Sequence, residues 1–304
     1  MGRGSVTALI DLTREISEGM PVYPGDPLFQ ARPFADYGTD GFRATRFTIG
    51  SHLGTHVDAP SHYFVDGETL DAFPVDFFCG SCVCLNLASV VGPESPRYAA
   101  RIATGRPASL NVDDLAPFEP LFEDVPMVLL RFDWAQKFGD SDFYDDFPSL
   151  SPELCDWLAD YPKLRILGLE TPSLVSAPPR SGDAGREFLA RDAFDPEFAD
   201  LLPKDPAPLE TGVSLPEDES EREPLDELEL NADAECHRIL LGRRPPILIL
   251  EGLVRLERLP SYAPPASNKR VERDPSRVFT LSCLPLPIKG ADGSPARVVA
   301  KTLE

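Results

Sequence analysis

Thirty-three prolines are spread through the 304 residues. Proline ends a helix and is excluded from the middle of a sheet. The chain is therefore restricted to short elements that lie between its prolines. Leu9-Ile10-Asp11-Leu12-Thr13 reads as a first short strand, and Met20-Pro21-Val22-Tyr23-Pro24-Gly25-Asp26 as a turn-rich loop. Residues 44–49 alternate apolar and polar, the period of a half-buried strand. Residues 81–87 form a further strand, and 126–131, 164–169 and 247–254 are apolar enough to be buried ones. Ser151-Pro152-Glu153 opens a helix through Leu154, Trp157 and Leu158, with a capping serine, a proline at the first helical position and an acid in the first turn. Asp226 to Leu241 reads as a second helix that closes at Gly242. The chain finishes with a strand over 278–286, a turn around Gly290-Ala291-Asp292-Gly293-Ser294 and a strand over 296–301. Strands outnumber long helices and alternate with them irregularly. The expected class is α/β, a single mixed-sheet domain over 1–304.

Charge is distributed unevenly. The net charge is −21, and residues 176–230 alone carry 16 acidic against 5 basic residues together with 8 prolines. That composition packs poorly, so 176–230 reads as an acidic, proline-rich insertion within the domain. A second loose segment is expected over 259–277. A surface this acidic repels phosphate backbones and anionic lipid, which argues against nucleic-acid and membrane partners. The first residues show no apolar signal core, and no stretch reaches the roughly 18–20 apolar residues of a membrane span. The expected setting is cytoplasmic. Cys82 and Cys84 fall in a strand-like run and read as buried, unreactive thiols. A serine-hydrolase elbow, a His-Glu-x-x-His zinc helix and a phosphate-binding glycine loop are all missing from the sequence.

The chain has only four histidines, and three of them fall within Ser51-His52-Leu53-Gly54-Thr55-His56-Val57-Asp58-Ala59-Pro60-Ser61-His62. Borderline divalent metals prefer imidazole nitrogen and carboxylate oxygen. His52, His56 and Asp58 match the composition of a two-histidine, one-carboxylate set that leaves coordination positions open. Gly54 lets the backbone bend between the histidines, and Pro60 prevents a continuous helix. His56 and Asp58 are two apart, so in extended backbone they face the same way. The fourth histidine, His237, lies on the second helix. Glu251 ends the apolar run 247–250, where a carboxylate is costly unless paired or bound to a metal. Taken with the first cluster, both become candidate ligands of one site.

The pattern His52…His56…Asp58…Pro60…His62 resembles the signature of the cyclase-like metal hydrolase family, which includes bacterial kynurenine formamidases and isatin hydrolases. Residues 10–13 and 19–26, 130–134 and 168–173, His237, 250–253 and 284–290 resemble further segments of that family. The resemblance implies a swivelling β/β/α-type fold, metal-dependent amide hydrolysis and a homo-oligomer, dimer or tetramer. It implies that His52, His56 and Asp58 are metal ligands, that His237 and Glu251 are the distal ligands of two-metal members with Asp58 bridging, and that His62 is catalytic. The implied cofactor is a divalent metal, zinc first and manganese second, with one or two ions per chain.

There are departures: Glu170 stands where aspartate is usual, Phe132-Asp133 replaces Thr-Gly before Trp134, and the spacing from His237 to Glu251 is longer. These bear on the substrate more than on the metal. In the leading reading the substrate is a small aryl formamide, N-formylkynurenine being the type. His62 would pass a proton to the leaving nitrogen, and Tyr23, Phe64 and Trp134 are candidates to stack on a flat ring. The alternatives are a cyclic amide or lactone such as isatin, and a non-catalytic, metal-stabilised interaction protein.

Overall fold

A computed structural model describes residues 7–104, 107–140, 143–176, 232–266 and 269–303. The acidic insertion 176–230, apart from Ser176, lies outside the described residues. In chain order the strands are β1 (Thr7–Asp11), β2 (Gln30–Ala35), β3 (Ala44–Thr48), β4 (His56–Asp58), β5 (Cys79–Asn86), β6 (Ser109–Leu110), β7 (Met127–Arg131), β8 (Ser149–Leu150), β9 (Ile166–Leu169), β10 (Leu248–Glu251), β11 (Ser261–Tyr262), β12 (Phe279–Pro285) and β13 (Gly293–Leu303).

Seven of them close into a ring in the order β13-β12-β5-β7-β9-β10-β4, with β4 pairing back onto β13. Within the ring β5, β7, β9 and β10 run parallel, and the remaining pairings are antiparallel. β1 adds to β13 and β11 to β5, outside the ring. The result is a mixed α/β fold around a closed, barrel-like sheet. The runs expected to be buried strands become β7, β9 and β10, and every residue of β9 and β10 is buried. Uniformly apolar strands need cover on both faces. Part of that cover comes from the helices Pro152–Ala159 and Ala232–Gly242, whose Leu154, Leu158, Leu240 and Leu241 join the same core. Ser151 caps the first of these helices by accepting from Leu154 N at 3.2 Å.

Two expectations change. The alternating run 44–49 becomes β3, but it pairs only with β2 in a two-stranded ribbon, and four of its five residues are exposed. Alternation there reports the pleat, not a covered face. The segment 259–277 is more ordered than its composition implies: it carries β11, and the buried Tyr262 places its hydroxyl 2.9 Å from both Asp274 O and Asp274 N. Cys82 and Cys84 are buried and free, as expected. Among the described residues no helix is long and apolar enough to cross a membrane.

Candidate metal centre

β4 is only three residues long, and its position in the ring builds the site. Its registers place His56 opposite Glu251 on one side and Pro295 on the other, and Asp58 opposite Ile249 and Gly293. Alternation along the strand puts Val57 in the hydrophobic core and leaves His56 and Asp58 on the other face. His56 Nε2 then lies 3.3 Å from Asp58 Oδ1 and 3.4 Å from Glu251 Oε2. His56 Nδ1 is 3.1 Å from Gly54 O, which can only accept. Nδ1 is therefore a donor, which leaves Nε2 as the nitrogen turned towards the carboxylates.

His237, on the helix Ala232–Gly242, repeats this arrangement. Its Nδ1 is 2.7 Å from Asp233 O, and its Nε2 is 3.7 Å from Asp58 Oδ2 and 3.6 Å from Glu251 Oε1. Four side chains from β4, β10 and one helix thus converge in the interior, all of them buried. Among the described residues Glu251 Oε1 has no hydrogen-bond partner.

His52 and His62 stand on the more open side. His52 Nδ1 is 2.8 Å from Asp58 Oδ1, and its Nε2 is 2.9 Å from Asp292 Oδ2. The ring of His62 lies 4.0 Å from that of His52, and His62 Nδ1 is 3.3 Å from the same Asp292 oxygen. Gly293 makes room for this arrangement, since a Cβ there would lie 2.7 Å from His52 Cε1. Asp292 was not among the residues expected from the sequence, because an aspartate between glycines reads as an ordinary turn. Its role follows only from the pairing of β13 with β4. Tyr63 was missed too; its ring stacks on His237 with centroids 4.7 Å apart.

The electrostatics are those of a cation site. Burial opposes charge on His52 and His237, but the neighbouring carboxylates prevail and push them up to about 11 and about 10. Burial likewise opposes ionisation of Asp58, yet His52 and His56 hold it well below the usual carboxylate range. Positive charge is demanded here, and a divalent ion supplies it as well as protons do. The donor chemistry fits such an ion: ligand atoms of His52, His56 and Asp58 lie within 4.8 Å of one another, as do those of Asp58, His237 and Glu251. Asp58 belongs to both groups, and His52, His62 and Asp292 form a third.

The aromatic candidates separate. Tyr23 lines a cavity together with His52, His56, Phe138 and Tyr144. Phe64 packs at Gly242, with Arg238 5.7 Å from its ring centroid. Trp134 is fully buried among Tyr98 and Phe143, and its Nε1 donates to Phe143 O at 3.1 Å. It has no exposed face for a substrate, which corrects the expectation from the sequence. A tryptophan suits stacking on a flat substrate, but here its one polar atom is satisfied inside the core.

Residues 10–174, more than half of the chain, match the Cyclase family model. The chain belongs to the Cyclase family. A kynurenine formamidase of Bordetella petrii is 28% identical over 194 residues, which span 60% of this Cyclase-family chain and 78% of that protein. Isatin hydrolase A from Labrenzia aggregata superposes with a TM-score of 0.63 at 20% identity, covering 98% of this chain and 94% of its own. A structure from Bacillus stearothermophilus, described as a predicted metal-dependent hydrolase, gives 0.55 at 19% identity and covers 98% and 99%. At these identities the two structures speak for the fold alone.

Proposed function

We propose that the chain is a divalent-metal-dependent hydrolase of a small amide, with an aryl formamide of the N-formylkynurenine kind as its substrate. The observation that carries the reading is the buried set of His56, Asp58, His237 and Glu251, in which Glu251 Oε1 has no hydrogen-bond partner among the described residues. A buried carboxylate oxygen left bare is costly, and two carboxylates beside two inward-turned imidazole nitrogens make a metal the natural occupant. In this reading His52, His56 and Asp58 hold one ion, and His237 and Glu251 hold a second with Asp58 shared. Zinc is the first choice and manganese the second. A bound divalent ion supplies a Lewis acid, which polarises a carbonyl and lowers the pKa of water to about 7.

The protein's own groups do the rest. Asp292 Oδ2, 3.3 Å from His62 Nδ1, would orient the imidazole on the open side. His62 Nε2 is then available to take a proton and deliver it to the leaving nitrogen. Tyr23 lines the cavity beside His52 and His56 and is the aromatic ring nearest to hand for a substrate. The kynurenine formamidase relative supports a formamide substrate, and the swivelling β/β/α architecture belongs to the same reading. A homo-oligomer is also proposed; the exposed Phe34 and Phe47 of the β2–β3 ribbon, with the exposed Tyr37 in the turn between the strands, support it.

The test is turnover of N-formylkynurenine against isatin by chelator-stripped protein reloaded with zinc or manganese. Metal-dependent release of formate supports the proposal. Turnover of isatin alone would move the substrate to the cyclic amides. Protein that takes up metal but turns over neither favours the interaction-protein reading.

A further inference from the structure

Arg14 is a buried charge that the proposed reaction leaves without a task. Its backbone N donates to Thr55 Oγ1 at 2.8 Å, and that hydroxyl donates to Gly252 O at 2.7 Å. Residue 14 is thereby tied to the segments that carry His56 and Glu251. The side chain, with the residue only 9% exposed, enters the cavity that His52, His56 and Tyr23 also line.

Arg14 Cζ lies 3.7 Å from the centroid of the Phe138 ring and 5.5 Å from that of Phe143. A guanidinium laid on a ring keeps all its N–H donors in its own plane, so stacking fixes the fork without using it. Arg14 Nη2 is buried and, among the described residues, has no hydrogen-bond partner. The charged groups around it are engaged elsewhere. Glu170 Oε2 accepts from Phe132 N and Trp134 N, Tyr144 donates its hydroxyl to Pro21 O, and Arg255, itself a cation, donates to Asp11 O and Thr13 O. Burial lowers the guanidinium pKa to about 10, which leaves it charged at neutral pH. The free space is about 20 Å³, room for a water-sized group such as one carboxylate oxygen.

We propose that Arg14 anchors a carboxylate of the substrate, so that the chain selects amides bearing a carboxylate over neutral ones. The proposal rests on the hydrolase reading. A planar fork with an idle donor suits a carboxylate better than any neutral acceptor, because charge-assisted bonds are roughly twice as strong as neutral ones. In a protein of net charge −21, a buried cation is also what gives such a substrate a local place to bind.

The experiment compares N-formylkynurenine with its neutral α-carboxamide in metal-loaded wild type, Arg14→Met and Arg14→Lys. Wild type should prefer the acid. Arg14→Met should reduce the acid-to-carboxamide ratio of kcat/KM by roughly 10- to 100-fold, mainly through KM. Arg14→Lys, which keeps the charge but loses the fork, should fall in between. The melting temperature of Arg14→Met should equal or exceed that of wild type, because an unpaired buried cation has been removed. If both substrates lose activity together while the melting temperature drops, Arg14 is structural and the proposal is overturned. If wild type hydrolyses neither amide, the hydrolase reading has failed, and calorimetric titration with kynurenine decides on the anchor alone. Binding that disappears in Arg14→Met upholds it, and equal or absent binding overturns it.

Discussion

Glu170 and Glu251 end neighbouring parallel strands, and both are buried. The paired register of the two strands ends at Leu250 opposite Gly168, with Glu170 just past the end of β9 and Glu251 the last residue of β10. Their surroundings differ completely. Glu170 Oε2 accepts from Phe132 N at 2.7 Å and Trp134 N at 3.3 Å, closing the turn after β7 where Asp133 adopts a φ of 60°. Among the described residues Glu251 meets no backbone donor of this kind; it faces His56 and His237, and its Oε1 has no hydrogen-bond partner. The first carboxylate fastens a turn, and the second, in the proposed reading, is a ligand for a cation. Residue type, burial and position at a strand end are shared, so partner chemistry is what separates structure from function.

The largest effect expected on this contrast is at the histidine opposite Glu251. His56→Ala removes the imidazole that β4 presents to both Asp58 and Glu251. Metal content, read by elemental analysis after reconstitution, should fall to background, and turnover should vanish with it. Stoichiometric metal in this variant would mean that Glu251 is not facing a cation site at all.

His62→Ala comes next. General acid–base help is worth roughly 10²–10⁴-fold in rate, and kcat should drop on that scale while metal content stays at the wild-type level. Loss of metal instead would recruit His62 as a ligand alongside His52 and Asp292, the third grouping the geometry permits. Glu251→Gln is smaller. It keeps shape and removes charge, so metal per chain should fall by one equivalent, with activity down roughly 10- to 100-fold. An unchanged single equivalent would place Glu251 outside the ligands and narrow its difference from Glu170.

Much of this site was legible in the sequence because its signals are local. His52, His56, Asp58 and His62 lie within one short segment, and a carboxylate at the end of an apolar run marked Glu251. Asp292 was illegible for the opposite reason. It reaches His52 across 240 residues of sequence, and only the closure of the ring between β13 and β4 brings them together. Trp134 was misread because its ring is apolar on a chain segment that is polar, and only packing tells which side of the wall it occupies. The ribbon formed by β2 and β3 shows the same limit in the fold, since alternation fixes the pleat without saying whether a layer covers it.

The smallest effect lies at Glu170, and it concerns stability alone. Burial pushes the carboxyl of Glu170 up from 4.5 to about 7; the bond from Phe132 N opposes this, and nearby Asp133 adds to it. Below about pH 4.5 both the folded and the unfolded chain hold the proton, so the group is neutral in its effect. As pH rises towards 7 the unfolded chain releases the proton and the folded one keeps it. The folded state is therefore progressively disfavoured across that window, and above 7 the penalty is constant. A shift of this size corresponds to about 3 kcal/mol at most. Glu170→Gln keeps an oxygen to accept from Phe132 N and Trp134 N and cannot ionise. It should flatten the fall in stability between pH 4.5 and 7, seen in urea titrations at a series of pH values, and leave metal stoichiometry untouched. If its profile keeps the wild-type slope, another group produces the fall. If it loses metal, Glu170 is coupled to the site, and the contrast with Glu251 does not hold.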